Sequence, residues 1–298
     1  SLSLHHPTLT DDGTSMRAAV FGGTGQVGRR LIVQLLNSQV FTNGIASISR
    51  SRLYPLELAI YDKELDMRGL RQHMIGKNPT PEDLERDGAR LVKGCTHAFC
   101  VIGADNIKRH TAWPQYEVKE QEYDSSSTAE MVDRDLAYAF AKICKDSGTV
   151  GHFSYLSQHG ADPCSEDAVL RAKGECEDLL NELSFPAVTI YQPRWILGTW
   201  RKDPLREMVY DKLGLGLLLP SHLKGVEVVD LAKVMCRVAE ATHVEIEKDI
   251  RYLQGRWGDG DRSQSSAIDV STQGSLTSSQ LYGTLNNSEI LSLAGAAS

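Results

Sequence analysis

The hydrophobic pattern of the chain first becomes regular a short way in from its start. An apolar run at 18–21 is followed by glycines and then by residues 26–37, in which Val27, Leu31 and Leu35 recur at the spacing of one buried helical face. This order of residues predicts a strand, a tight turn and a helix.

The same kind of unit recurs downstream. Further strands are predicted at 45–49, 97–102, 151–157 and 186–191, and helices at 124–147 and 166–183. Strands that alternate with helices favour a mostly parallel sheet with helices on both faces. We therefore expect an α/β fold, a Rossmann-type doubly wound sheet with a small C-terminal region on the substrate side.

Two stretches interrupt this alternation. Residues 104–124 are polar and contain Trp113 and Pro114, which predicts a long loop at the carboxyl end of the sheet, either a surface insertion or a substrate lid. Residues 259–298 hold 10 serines and one cation, Arg262, so they cannot build a core alone. The predicted organisation is an extension at 1–15, a nucleotide-binding body at 16–258 and a tail at 259–298.

Composition narrows the class of protein. The 298 residues are 41% hydrophobic, which suits one large folded domain. Net charge is -7, from 32 Lys plus Arg against 39 Asp plus Glu, so a nucleic-acid partner is not expected. The longest apolar runs are too short to span a membrane. Six scattered cysteines without a C-x-x-C pair predict unpaired thiols and no metal site.

The turn after the first strand carries the clearest chemistry. Gly22 permits the tight turn, Gly25 lets the backbone approach a pyrophosphate, and Gly28 allows the helix to lie close to the strand. Free amides at the helix start would bind the anion. The predicted dinucleotide contacts are Gly22, Thr24, Gly25, Gln26, Val27 and Gly28, together with Ile102 and Gly103 after the strand at 97–102.

The end of the second strand bears on the choice of cofactor. In a protein that binds NAD, an acidic residue at this position would hydrogen-bond the ribose 2′-hydroxyl. The chain instead has Arg50 and Arg52. Arginine pairs well with a 2′-phosphate, so NADP(H) is favoured over NAD(H). The alternative is that both arginines are solvated loop charges.

Several motifs together resemble one family. They are the glycine turn, Val132-Asp133-Arg134-Asp135, the run from Ser154 to Asp162, Lys173-Gly174-Glu175 and Tyr191-Gln192-Pro193-Arg194. The combination is similar to the Tat-interacting-protein family of atypical short-chain dehydrogenases/reductases, over residues 17–241. The resemblance implies a Rossmann fold that binds NADP(H), with catalysis by a Ser, a Tyr and a Lys, the last two spaced Tyr-x-x-x-Lys.

The chain departs from this catalytic pattern. Lys173 fits the family's Lys and would hold the nicotinamide ribose, and Ser157 fits the Ser, but the Tyr position holds Val169, which has no proton to donate. Tyr155 and His159 are nearby substitutes that would have to act from another direction. We therefore assign no catalytic residue, although Ser157 and Lys173 are retained.

Two other sets of residues have open roles. Asp133, Arg134 and Asp135 are interpreted as helix-start residues, where the two aspartates favour the dipole, and a functional role is the alternative. Arg194 and Trp195 either line the cofactor cleft or pack under the C-terminal segment.

Two functions remain. In the first, the protein is a catalytically inactive, NADP(H)-binding accessory or scaffold subunit of a larger protein assembly, which it contacts through its terminal extensions. In the second, it is an active NADP-dependent oxidoreductase with a substitute proton donor. Val169 favours the first. A mitochondrial location goes with an assembly subunit, and the cytoplasm is the alternative. The leader at 1–15 has no Lys or Arg, so it is not itself a targeting helix, and a presequence is either removed or never present.

Overall fold

The computed structural model describes residues 16–104, 129–198, 224–257 and 283–295, with the backbone alone for 243–257. Its strands are β1 (Ala18–Phe21), β2 (Ile45–Ser49), β3 (Leu70–Met74), β4 (His97–Cys100), β5 (His152–Leu156), β6 (Ala187–Gln192), β7 (Ile196–Leu197), β8 (Val226–Glu227) and β9 (Gly283–Asn286). Its α-helices are α1 (Gln26–Asn37), α2 (Pro55–Ala59), α3 (Pro81–Leu91), α4 (Ala137–Asp146), α5 (Ala168–Glu182), α6 (Val228–Trp257) and α7 (Asn287–Gly295). A π-helix, Glu130–Leu136, precedes α4.

The main sheet has seven strands in the order β3-β2-β1-β4-β5-β6-β9, and β7 pairs with β8 in a small second sheet. Every pairing in the main sheet is parallel. The order reverses between β1 and β4, which is where doubly wound sheets bind ligands at the carboxyl ends of their strands. The predicted α/β Rossmann-type fold is confirmed.

Helices cover both faces of the sheet. One apolar cluster joins α1 and α6 to one face, with Leu31, Leu35 and Met235 fully buried. The other cluster joins α3, α4 and α5 to the opposite face, with Phe140 and Phe153 fully buried. Burial on both faces explains why β1 and β2 are uninterrupted apolar or small runs instead of alternating ones.

The predicted elements agree with the structure to within a few residues. The first strand, the helix at 26–37 and the second strand have the predicted bounds. The helix predicted at 124–147 is split, because the described part begins with the π-helix and continues as α4; residues 124–128 lie outside the described residues. The predicted loop lies outside them from residue 105 onward, and so do 1–15 and 259–282.

The end of the predicted tail belongs to the body. β9 pairs with β6, and Leu285 and Ile290 are 1% and 0% exposed in the core. The composition-based boundary at 258 therefore does not separate 283–295 from the Rossmann body. Isolated apolar residues suffice here because they add to an existing core instead of forming one. Within the described ranges, no helix is long and apolar enough to cross a membrane.

Candidate functional site

The glycine turn lies between the carboxyl end of β1 and the start of α1. Gly22 has φ +98°, and a Cβ there would lie 2.9 Å from the Val101 carbonyl oxygen, so only glycine fits without strain. At Gly28 a Cβ would lie 2.2 Å from the Gly22 carbonyl oxygen. These positions confirm a tight turn and a close helix approach.

The start of α1 is open to an anion. Gly25 is its N-cap residue and supplies no side-chain cap, and the first turn has no acidic residue. Gly25 is exposed, and the Gly22 carbonyl oxygen at 3.2 Å is its nearest neighbour for a Cβ. The amides of this turn thus keep the positive end of the helix dipole available to a phosphate. Thr24 and Gln26 are half-buried beside it, whereas Val27 is buried and packs into the core.

The exit of β4 borders this turn. Ile102 is half-buried, and its Cγ2 lies 3.0 Å from where a Cβ of Gly22 would be. Gly103 follows and is exposed. The structure therefore brings the glycine turn together with Ile102 and Gly103 at one edge of the sheet, as a shared nucleotide site requires.

The two predicted arginines lie in different places. Phe21 pairs with Ile48, so Arg50 follows β2 at the level of the glycine turn, and its side chain is half-buried. Arg52 is exposed and lines a surface cleft of about 320 Å³ with Leu70 and Met74 of the edge strand β3. The two arginines thus have different surroundings, Arg50 at the level of the glycine turn and Arg52 beside the edge strand.

Sequence reasoning missed one cation beside the turn. Arg29 directly follows Gly28, and its guanidinium pairs with the Glu57 carboxylate at 2.6 Å. The pair Arg29-Arg30 directly after the glycine motif could have indicated this cation from the sequence. Its ion pair with Glu57 of α2 could not be predicted, because only the tertiary fold brings the two residues together.

Ser157 and Lys173 meet at the carboxyl end of β5. The Lys173 Nζ donates to the Leu156 carbonyl oxygen at 3.3 Å, one residue before Ser157. The Ser157 hydroxyl donates to the Glu177 carboxylate, which also accepts two hydrogen bonds from the Gln192 amide, each at 2.9 Å. Burial raises the pKa of Glu177 despite these hydrogen bonds. Glu177 and Gln192 are further members of this cluster that the sequence reasoning did not identify.

Val169 lies in the first turn of α5, where its amide is capped by the Asp167 carboxylate at 2.8 Å. The helix is continuous to Glu182, so Val169 and Lys173 share a face at four-residue spacing. Val169 is half-buried and Lys173 is buried. The structure thus places an apolar side chain four residues before Lys173 on the same face of α5.

Of the two substitutes, Tyr155 is ruled out by its position. It is fully buried in β5, and its hydroxyl donates to the Asp133 carbonyl oxygen at 2.9 Å. Burial also raises its pKa well above the usual value, so its proton is held more tightly. His159 is exposed on the loop after β5, with its Nε2 3.4 Å from the Arg194 guanidinium.

Asp133 lies in the first turn of the π-helix, as its interpretation as a helix-start residue predicts, but it has a further contact. It is 1% exposed, and its carboxylate pairs with the Lys173 ammonium at 3.0 Å. Its neighbour Arg134 bridges Asp135 at 2.7 Å and Glu175 at 2.6 Å. These residues join the π-helix to α5, and π-helical turns are frequent at functional sites.

Arg194 is tied to the C-terminal segment. Its backbone amide donates to the Asn287 side-chain oxygen at 2.9 Å, and its guanidinium lies 5.2 Å from the Trp195 ring. The Asn287 side chain also donates to the Lys224 carbonyl oxygen at 2.8 Å. Of the two roles left open for Arg194, the structure supports packing against the C-terminal segment.

Together, the parallel sheet, the strand order and the glycine turn at its switch point define a Rossmann-type, doubly wound α/β domain. No family model matches the chain. It is similar to protein HTATIP2 of Rattus norvegicus, with 25% identity over 193 residues, 63% of this chain and 67% of that protein. This match confirms the resemblance to the Tat-interacting-protein family of atypical short-chain dehydrogenases/reductases.

Solved structures agree on the fold. The PhqB reductase domain from Penicillium fellutanum is similar with a TM-score of 0.51 and 14% identity, over 73% of this chain. A thiolation-reductase di-domain from an archaeal non-ribosomal peptide synthetase has a TM-score of 0.50 and 10% identity, over 74% of this chain. The chain spans 62% and 66% of those two structures, respectively.

Proposed function

We propose that this protein binds NADP(H) at the glycine turn. The open start of α1 supplies amides for the pyrophosphate, and Arg50 stands at the register where a 2′-phosphate would be read. No carboxylate follows β2 to hold an NAD ribose.

Arg50→Asp tests this assignment. It should weaken NADPH binding by about 1–3 kcal/mol and NADH binding much less, because only NADPH carries the 2′-phosphate. Arg71→Asp, an exposed change on β3, is the matched control and should alter neither affinity. Equal losses for both nucleotides in Arg50→Asp would refute the phosphate assignment, whereas a wild-type protein that binds neither would refute nucleotide binding itself.

We further propose that the bound nucleotide does not react. The observation that carries this proposal is Val169, an apolar side chain on the Lys173 face of α5. Loss of a general acid typically costs about 10²–10⁴-fold in rate. The nucleotide would then stabilise the fold through mass action instead of serving as a reductant.

A panel of aldehydes and ketones with NADPH tests the inactive state. We expect no oxidation above the uncatalysed rate in the wild type. Steady turnover that Lys173→Ala abolishes would favour the alternative, an active oxidoreductase. His159→Ala would then show whether the exposed histidine supplies the proton.

We propose an accessory or scaffold role in a larger, mitochondrial assembly. Support comes from composition: residues 1–15 and 259–282, outside the described residues, are polar and hold few large apolar side chains. Such segments order on binding instead of folding alone.

Native gel filtration and cell fractionation test this role. The tagged full chain should elute in a complex from the mitochondrial fraction. A variant that lacks 259–282 but keeps 283–298 should bind NADPH normally and leave the complex. A full chain that elutes as a monomer from the cytosol would contradict both the role and the location.

A further inference from the structure

Asp133 connects several segments beside the predicted ribose side of the nucleotide site. Its carboxylate pairs with Lys173 and accepts the Ala104 amide at 3.1 Å, and its backbone carbonyl accepts the Tyr155 hydroxyl at 2.9 Å. The side chains of Asp133 and Lys173 are 1% and 8% exposed. A charged pair shielded to this degree interacts far more strongly than a surface pair.

The contacts fix the direction of the lysine. A lysine side chain has a flexible stem and an ammonium with three donors and no preferred orientation. The Leu156 carbonyl oxygen accepts one N–H of Lys173 at 3.3 Å, and the Asp133 carboxylate holds the ammonium as an ion pair at 3.0 Å. The position of Asp133 is itself fixed, because the Ala104 amide and the Tyr155 hydroxyl donate hydrogen bonds to it from two other segments. Lys173 N–H groups that Leu156 does not take therefore remain to be directed at a ligand.

We propose that Asp133 is a positioning residue that holds the Lys173 ammonium toward the nicotinamide ribose. Because the carboxylate neutralises the ammonium, the pair presents a polar but uncharged surface. Such a surface suits the hydroxyls of a ribose and not another phosphate. This inference rests on the proposed NADP(H) binding.

Two ligands separate positioning from a structural role. NADPH carries the nicotinamide ribose, whereas 2′,5′-ADP shares the adenosine and the 2′-phosphate but lacks that ribose. Asp133→Asn keeps the size and an acceptor for Ala104 while it removes the charge. Calorimetry should show about tenfold weaker NADPH binding, the loss of one well-directed hydrogen bond, and unchanged 2′,5′-ADP binding.

Asp135→Asn is the matched control. Asp135 is a partly exposed acid of the same π-helix, paired with Arg134 at 2.7 Å. Neither affinity should change in this variant. Should Asp133→Asn fail to fold, Asp133→Glu is the second variant, because it keeps the charge but moves it by one methylene. It must still weaken NADPH binding and leave 2′,5′-ADP binding unchanged.

A double variant tests whether Asp133 acts through Lys173. Lys173→Met should weaken NADPH binding by a similar factor, and adding Asp133→Asn should weaken that binding no further. Equal losses of both ligands in Asp133→Asn, or additive losses in the double variant, would overturn the positioning role. Failure of the wild type to bind either ligand would instead refute the proposed function.

Discussion

The two halves of the sheet contribute different chemical groups to the candidate site, backbone groups on one side and side chains on the other. On the side of β1 and β2 the site is made of backbone: glycines, free amides and the start of α1. On the side of β5 and β6 it is made of side chains that already bind one another, Lys173 with Asp133 and Ser157 with Glu177. Backbone groups at a helix start do not depend on neighbouring side chains for their direction, whereas side chains in a cluster also bind one another.

Removal of 283–298 should cause the largest loss of stability, because it removes β9 from the edge of the sheet beside β6. Loss of Leu285 and Ile290 from the core costs about 2–5 kcal/mol each, against a typical total stability of about 5–15 kcal/mol. We expect insoluble protein on expression. Ser292→Ala, an exposed change on α7, is the control and should express normally. A soluble truncated protein with an unchanged Tm would show that β9 adds nothing to the sheet.

Lys173→Met should cause the next largest loss in the free energy of unfolding. It leaves the buried Asp133 carboxylate without its counter-ion, which typically costs about 3–5 kcal/mol. Urea unfolding measures this loss. Arg171→Met is the matched control on the same helix, because its pair with Glu130 at 3.5 Å is about a third exposed and should contribute about 0–1 kcal/mol. Similar losses in both variants would mean that burial does not distinguish the two pairs.

Acid should destabilise the side-chain half through His152. Burial lowers the pKa of this histidine to about 3, from an ordinary value of 6.5. Below pH 6.5 the unfolded chain binds a proton that the folded chain does not, so stability falls as pH drops from 6.5 toward 3. The expected loss is about 2 kcal/mol between pH 8 and pH 5.

His152→Gln checks this pH effect. It should flatten the dependence of the unfolding free energy in that window, although it also changes the contact with the Thr189 hydroxyl at 2.9 Å. An unchanged slope would assign the acid sensitivity to other groups.

The smallest effect on stability is expected in the backbone half. Gly25→Ala places a methyl group at the exposed face of the turn, where only the Gly22 oxygen lies near, so the Tm should change little. NADPH binding should nevertheless drop at least tenfold, because the methyl group occupies the path of the pyrophosphate. Gly28→Ala is the contrast, since its Cβ would lie 2.2 Å from backbone and should lower both stability and binding. Normal NADPH affinity in Gly25→Ala would move the nucleotide away from this turn.

The same contrast explains what the sequence could predict. The glycine turn and its flanking elements follow from local spacing, and their bounds at 18–21 and 26–37 were predicted correctly. β3 was missed because it is a half-exposed edge strand with polar residues between its apolar ones. β9 was missed because Leu285 is its one buried residue.

The side-chain half depends on distance in space instead of spacing along the chain. Asp133 follows a helix-start pattern in sequence, but 40 residues separate it from Lys173, and only the fold joins them. Val169 and Lys173 could be matched to the Tyr-x-x-x-Lys pattern that the family resemblance implies, because both belong to one helix. The engagement of Ser157 by Glu177, from another element, gave no local signal.

The position of β9 also has a consequence for synthesis. Its partner β6 pairs Thr189 with Gly283, so the edge of β6 emerges from the ribosome well before the strand that covers it. At about 5–20 residues per second, that edge stays open for roughly 5–20 seconds. An unpaired edge of this kind is a template for wrong strand pairing. We therefore expect the newborn chain to be most prone to wrong strand pairing in the interval before β9 is synthesised.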